Sequence, residues 1–326
     1  MWWEILCGLV IYRIIRSCFS DDDEFSDFDT SDSDLIFSVA DKLEKIYGGK
    51  AFIGLRIPDA DADAGIRRDI DIVLVTKQEA MVVAVKNLSG FVTVNKEGSW
   101  ACTGGKKHKA EVLPDPVEEI RRQVAVLESY LEQRGVALPE GFLGCKLILP
   151  NPKCMITHSI DVLPEVVSYD KWTQLKSETK GGLSGWFKGA FRGGKNGLQD
   201  ATYQKLHFTL GTAPMWDRLE VKGGRSVLGE FIEFKGHQED MQALRNIKRS
   251  KVSRIMIEKA MMFGLIGRSR VQLLYIPRDY RTTDASASEW REIAVRSSVD
   301  VLFQPSNSKK VRKFKLTSLV SLSLGA

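Results

Sequence analysis

A chain of 326 residues, 43% hydrophobic and 27% charged, has room for two globular domains and is too evenly mixed for a fibrous or disordered protein. Its formal charge of +5 is too small to mark a nucleic-acid partner by itself. Five scattered cysteines (Cys7, Cys18, Cys102, Cys145 and Cys154) form no CxxC, and four distant histidines offer no ligand spacing. This argues against a disulfide framework or a zinc site and for a reducing, intracellular compartment.

Residues 1–20 open on an apolar stretch, Ile5–Tyr12, extended by Ile14-Ile15 beyond Arg13. Glu4, Arg13 and Arg16 leave it shorter than the roughly 20 residues a bilayer span needs. Trp2 and Trp3 at one end and the arginines at the other suit a short anchor or interfacial helix within residues 1–18, with the body cytosolic; docking on a protein surface is the alternative. Cys7 and Cys18 would be acylation sites of such an anchor. Residues 21–34, rich in Asp and Ser, read as an acidic solvated linker.

From about Leu35 to Tyr47 the stripe Ile36, Val39, Leu43, Ile46 predicts a helix, stopped by Gly48-Gly49. Asp41 and Glu44 lie off that stripe and face water, which leaves Asp34 as the first helix's one candidate acid. Strands follow at 51–57, 69–75 and 81–86, and Gly90 turns the chain into another at 91–94, giving a meander. Asp59, Asp61 and Asp63 lack the glycine and glutamate of a calcium loop and read as turn-capping acids. Asp115-Pro116 opens the clearest helix, with Val117, Ile120, Val124, Leu127 and Leu131 on one face and Gly135 after it. Cys145–Leu149 is a strand apolar on both faces, Val166-Val167 the last strand, and Asp170 caps a short helix. Residues 35–175 thus form an α/β domain with a mixed sheet flanked by helices.

Residues 176–200, rich in Gly and Lys, read as a basic linker; Trp186, Phe187 and Phe191 there either stack bases or pack on the domains. Residues 201–326 form a mainly antiparallel β domain. Its strands are expected at 226–235, 252–258, 271–276, 290–296, 299–304 and 311–324, with a helix at 237–248. Lys309, Lys310, Arg312, Lys313 and Lys315 are the densest basic run, either a solvated strand face or a phosphate-contacting patch.

The chemistry concentrates in one hairpin. Asp69-Ile70-Asp71 and Ala84-Val85-Lys86 occupy its two strands, and a turn centred between Lys77 and Gln78 sets Asp71 opposite position 84. Metal-dependent phosphodiester hydrolysis asks for two carboxylates around Mg²⁺ and a lysine beside the attacking water. Here Asp71 and Lys86 fill two of those places and Ala84 stands in the third. Asp69 is the nearest further ligand for the ion, and Gln123 of the long helix either projects toward the site or lies on a solvated face.

These stretches, with Val39–Tyr47, Gly90, Asp115-Pro116 and Leu147–Pro152, resemble the nuclease-related domain (NERD), a branch of the PD-(D/E)XK nuclease superfamily. The whole chain, including Leu228–Phe231 and Pro277–Arg281, is similar to plant NERD proteins that carry a C-terminal extension. The resemblance implies the superfamily's mixed sheet, Mg²⁺ as cofactor and nucleic acid as partner. It makes Asp71 the metal-ligand acid and Lys86 the catalytic lysine, and sets the family's glutamate at Ala84. The expectation is a nuclease-like fold with a degraded site, serving as a nucleic-acid or protein binding module. An active Mg²⁺-dependent nuclease is the alternative.

Overall fold

The computed structural model describes residues 31–60, 65–104, 111–175, 198–258, 270–278 and 290–325. The expected anchor at 1–18, the aromatic and basic part of the linker, and Asp61 and Asp63 lie outside those residues. No helix among the described residues is long and apolar enough to cross a membrane.

The first helix, α1, runs Ser31–Tyr47, and three strands follow: β1 (Lys50–Pro58), β2 (Arg67–Val75) and β3 (Ala80–Val85). Next come β4 (Gly90–Val94), β5 (Trp100–Thr103), β6 (Glu111–Leu113) and the long helix α2 (Pro116–Gln133). Strand β7 (Leu143–Ile148), β8 (Cys154–Ile156), α3 (His158–Asp161), β9 (Val166–Val167), α4 (Tyr169–Gln174) and α5 (Asp200–Gly211) complete this half.

The central sheet has the order β1-β2-β3-β7-β9, antiparallel from β1 to β3 and parallel from β3 to β9. Strand β3 is buried along its whole length, because α2 covers one face of the sheet and α1 the other. The two cores share no residue: Ile120, Leu127 and Leu131 of α2 meet Val73, Val82 and Leu147, while Val39 and Leu43 of α1 meet Leu74, Val83 and Ile148.

Two expectations shift here. The segment 91–94 does not continue the hairpin beside β3. Beyond Val85 the chain leaves the sheet, and β4 joins a separate four-stranded sheet of order β6-β5-β4-β8. The place beside β3 goes to β7, whose apolar residues on both faces suit a parallel interior strand. Helix α1 also starts at Ser31 rather than Leu35, so residues 31–34 of the expected linker are helical. Ser33 and Asp34 accept hydrogen bonds from the backbone N–H groups of Leu228 (3.2 Å) and Ser226 (2.6 Å), which anchors that first turn. A smaller difference concerns α4, where Ser168 and not Asp170 holds the N-cap position.

The second half contains β10 (Asp217–Val221), β11 (Arg225–Lys235), α6 (Gln238–Leu244), β12 (Val252–Ile257), β13 (Arg270–Pro277), β14 (Arg291–Arg296), β15 (Asp300–Pro305), β16 (Arg312–Lys315) and β17 (Leu319–Ser323). They form one eight-stranded antiparallel sheet of order β14-β13-β12-β17-β10-β11-β15-β16. The single strand expected at 311–324 is two, separated by a 3₁₀ turn at Leu316–Ser318. Helix α5, not anticipated, packs Leu206 and Leu210 into the first core. Ala213, just after α5, belongs to the same core.

Residues 214–216 stitch the halves together. Arg56 N donates to Pro214 O and Trp216 N to Gly54 O, both at 2.8 Å. Just beyond, buried Asp217 accepts from Phe231 N (2.6 Å), Gly325 N (2.7 Å) and Arg249. Gly54 has φ +70°, and its missing side chain faces Leu228 and Trp216. This left-handed residue breaks the alternation of β1: Phe52 lies on the α2 side of the sheet before it, Leu55 and Ile57 after it. Alternation breaks at the same level of β2, where Ile70, Val73 and Val75 share that side.

A side chain at Gly54 meets ordinary contact distances, so the cost of adding one is mainly conformational. Gly54→Ala should lower unfolding free energy by about 1–2 kcal/mol, measured by denaturant titration. An unchanged midpoint would show that the strand break does not depend on glycine.

Candidate functional site

Asp71 sits at that break. The β2–β3 ladder is in the expected register, with Ile72 opposite Val83, which sets Asp71 at the level of Ala84. Past this pair no backbone acceptor is in line for the next amide, and the Asp71 side chain takes its place. Val85 N donates to Asp71 Oδ2 at 2.8 Å. On the other edge, Lys86 N donates to Ile148 O at 3.1 Å. The chain then departs from the sheet, and Lys86 projects from the divergence into a cleft of about 1230 Å³.

Asp71, Lys86, Asp69 and Gln123 all line this cleft. Lys86 Nζ lies 3.5 Å from Glu119 Oε2 on α2. Asp69 stands 3.7 Å from Arg56 Nε and accepts a hydrogen bond from the Trp216 indole. The Arg56 guanidinium in turn stacks 3.7 Å over the Trp216 ring, a cation–π contact across the junction of the two halves. Gln123 is buried, and its Nε2 donates to the Asp69 carbonyl at 2.9 Å. Its Oε1 is buried with no hydrogen-bond partner among the described residues.

Ala84 is absent from the cleft wall. It is 3% exposed and belongs to the core under α2, with Val117, Ile120 and Leu147. Asp34, the first helix's candidate acid, is engaged by Ser226 N and does not line the cleft. Glu44, expected to face water, accepts from Ala51 N at 2.6 Å.

Three acids of the cleft, Asp32, Glu111 and Glu119, were not anticipated as site residues. Asp32, assigned to the linker, accepts from Asn87 Nδ2 at 3.0 Å at the cleft mouth. Glu119 stands in the acidic first turn of α2. It lies four residues before Gln123, one helical turn away on the same face, and that spacing was a usable signal. Among the described residues, Asp32, Asp69, Asp71, Glu111 and Glu119 line the cleft with Lys86 and Lys153, an excess of acids over lysines.

This crowding tells on Asp71. Burial, opposed by the Val85 amide and Lys86 and reinforced by Glu119 and Asp69, pushes its carboxyl up to about 6. Burial also raises Asp69, against the pull of Arg56 and the Trp216 indole. A strongly shifted carboxyl at the floor of a cleft is a mark of a functional site.

Magnesium is the ion the resemblance implies, and the donor set does not suit it as it stands. Asp71 commits one oxygen to Val85 N, Asp69 leans on Arg56 and Trp216, and Glu119 on Lys86. Among the described residues no group of three or more His, Cys, Asp or Glu converges to hold a metal ion.

The central mixed sheet between helices, with an acid and a lysine meeting where β3 leaves it, defines a nuclease-like α/β domain. Residues 35–150 match the family model of the nuclease-related domain, NERD. The chain therefore carries a nuclease-related domain, consistent with the PD-(D/E)XK superfamily, followed by a separate antiparallel β sheet. Comparison with curated proteins and with solved structures gave no significant match.

The raised Asp71 carboxyl carries a linkage consequence. Its folded pKa, about 6, exceeds the unfolded value near 3.8, so the folded state holds the extra proton between those limits. The stabilisation is complete below about pH 4 and is lost as pH rises through 6. Asp71→Asn keeps the acceptor for Val85 N and removes the charge. It should be more stable than wild type at pH 7 by on the order of 2 kcal/mol, with the gap closing below pH 4. Denaturant unfolding from pH 3.5 to 8 measures this, and a pH-independent gap would contradict it.

Proposed function

We propose that this protein is a nucleic-acid-binding module built on a nuclease-like domain whose hydrolytic site is degraded. The supporting observation is the burial of Ala84: the position the resemblance gives to the second carboxylate holds a methyl group inside the apolar core. Two of the remaining acids, Asp69 and Glu119, are each paired with a cation, which supports the same reading. What survives is a positioned lysine, a buried glutamine with an open acceptor and a cleft walled by both halves of the chain. A fold keeps its shape after its chemistry is lost.

Glu119 is the observation that favours the second reading, Mg²⁺-dependent hydrolysis. It touches Lys86, and its charge is felt at Asp71. Released from Lys86, it would be the second carboxylate.

Wild type should bind single- or double-stranded oligonucleotides with a steep salt dependence. It should show no cleavage in Mg²⁺ or Mn²⁺ above that of Lys86→Ala. Robust wild-type cleavage, abolished by both Lys86→Ala and Glu119→Gln, would establish the second reading instead. Ala84→Glu offers a readout besides activity. A carboxylate inserted against Asp71 should cost about 2 kcal/mol or more in EDTA. Part of that loss should return on adding millimolar Mn²⁺, a metal-dependent rise in Tm that wild type lacks.

A further inference from the structure

The small sheet β6-β5-β4-β8 turns one face to the core and the other to solvent. Val92 of β4 and Trp100 and Cys102 of β5 point into the first core. Alternation and register therefore direct Phe91 of β4, Val112 of β6 and Met155 of β8 to the outer face. These three are 45%, 60% and 61% exposed. Single exposed hydrophobics are ordinary. Phe91 and Met155 are more than that, because they are register partners on neighbouring strands, about 4.8 Å apart, and form one apolar surface.

That surface continues the cleft. Residues 85–90 line the cleft without a break, and Phe91 comes next; Asn151, Pro152 and Lys153 line it before β8, and Met155 does so itself. The two approaches are tied together. Asn151 Nδ2 donates to Asn87 Oδ1 at 2.9 Å, and Gly90 N to Lys153 O at 2.8 Å. Gly90, at φ +100°, makes the turn into β4. Thr103 Oγ1 donates to Phe91 O at 3.3 Å, so the ring stands on a pinned strand. Five residues separate Phe91 from Lys86, which keeps their Cα atoms within about 18 Å.

Size selects the occupant. At about 200 Å² for a side chain of this kind, the exposed parts of Phe91 and Met155 come to on the order of 200 Å². A stable protein interface takes about 800 Å² from each partner, so this surface is too small to hold a second copy or another folded protein. It suits one or two flat base faces, which stack on exposed side chains of a sheet whatever their sequence. Exposed Lys153 stands in the adjoining wall as a cation for the phosphate beside them.

We propose that Phe91 and Met155 form a base-stacking shelf at the rim of the cleft, which holds single-stranded nucleic acid by its bases and brings its backbone to the cleft beside Lys86. The inference rests on the nucleic-acid reading above and narrows it to unpaired strands.

The test uses the full chain with fluorescent dA20 and an abasic oligonucleotide of the same length, each titrated at several salt concentrations. The double variant Phe91→Ala, Met155→Ala should bind dA20 roughly tenfold or more weakly. Its salt slope should stay that of wild type, since no phosphate contact is removed. The abasic strand should bind wild type and double variant alike, and Phe91→Tyr should bind dA20 as wild type does. Phe208→Ala removes an aromatic ring of equal exposure, 45%, on α5 and should change nothing. Thermal unfolding establishes that the variants are folded; Met155→Gln alone is read in the same way if the double variant is not. Equal dA20 binding by wild type and double variant, an equal loss in Phe208→Ala, or a loss shared by the abasic strand overturns the shelf and leaves the binding reading standing. A wild-type dimer in sedimentation that the double variant abolishes, with dA20 bound equally by both, would assign the surface to self-association and also overturn the proposal. Absence of wild-type binding overturns both readings.

Discussion

The site depends on one hydrogen bond, from Val85 N to Asp71 Oδ2. An interior strand must satisfy its amides on both edges. At Val85 the β2 ladder no longer supplies a carbonyl, since the alternation of β2 breaks there and that of β1 breaks beside it at Gly54. A side chain fills the gap, and the residue that does so is the candidate acid. The same arrangement fixes Lys86, whose own amide is held by Ile148 O as the chain leaves the sheet. Acid and lysine are therefore brought together by the way the ladder ends, and Asp71 carries the electrostatic cost of that position in its raised carboxyl.

The β domain is structurally part of the cleft. Gly54 and Arg56 are bound to residues 214–216, Trp216 covers Arg56 and meets Asp69, and Ser33 and Asp34 cap amides of β11. Leu228, Ser306 and Asn307 stand in the wall. The close approach at Gly229, where a side chain would collide with Gln304 O, keeps β11 and β15 tight beneath that wall. Among the described residues, the acids of the cleft come from α1 and the nuclease-like half, a local clustering that a net value of +5 conceals.

The local pattern was legible wherever it is set by short-range physics. The stripes of α1 and α2, the Asp115-Pro116 start with its bond from Val117 N to Asp115 Oδ1 at 2.9 Å, and the register that sets Asp71 at the level of Ala84 follow from periodicity and turn symmetry. Gln123 was suspected as a site residue, and Glu119 was not, although the two are one turn apart. Helix α5 escaped because its apolar residues are few and count only once Leu206 and Leu210 meet the first core.

By itself the sequence determined most of the elements, the register of the hairpin, and the places of Asp71, Lys86 and Ala84 along it. Those depend on residues near one another along the chain. Tertiary structure decided that β7 and not β4 lies beside β3, and that Ala84 is core rather than cleft. It also decided which cation each remaining acid meets, and that a strand more than 200 residues from Lys86 leads back to the same opening. Such facts arise from contacts between segments distant in sequence, where packing and charge compensation select among partners that local preference leaves equal.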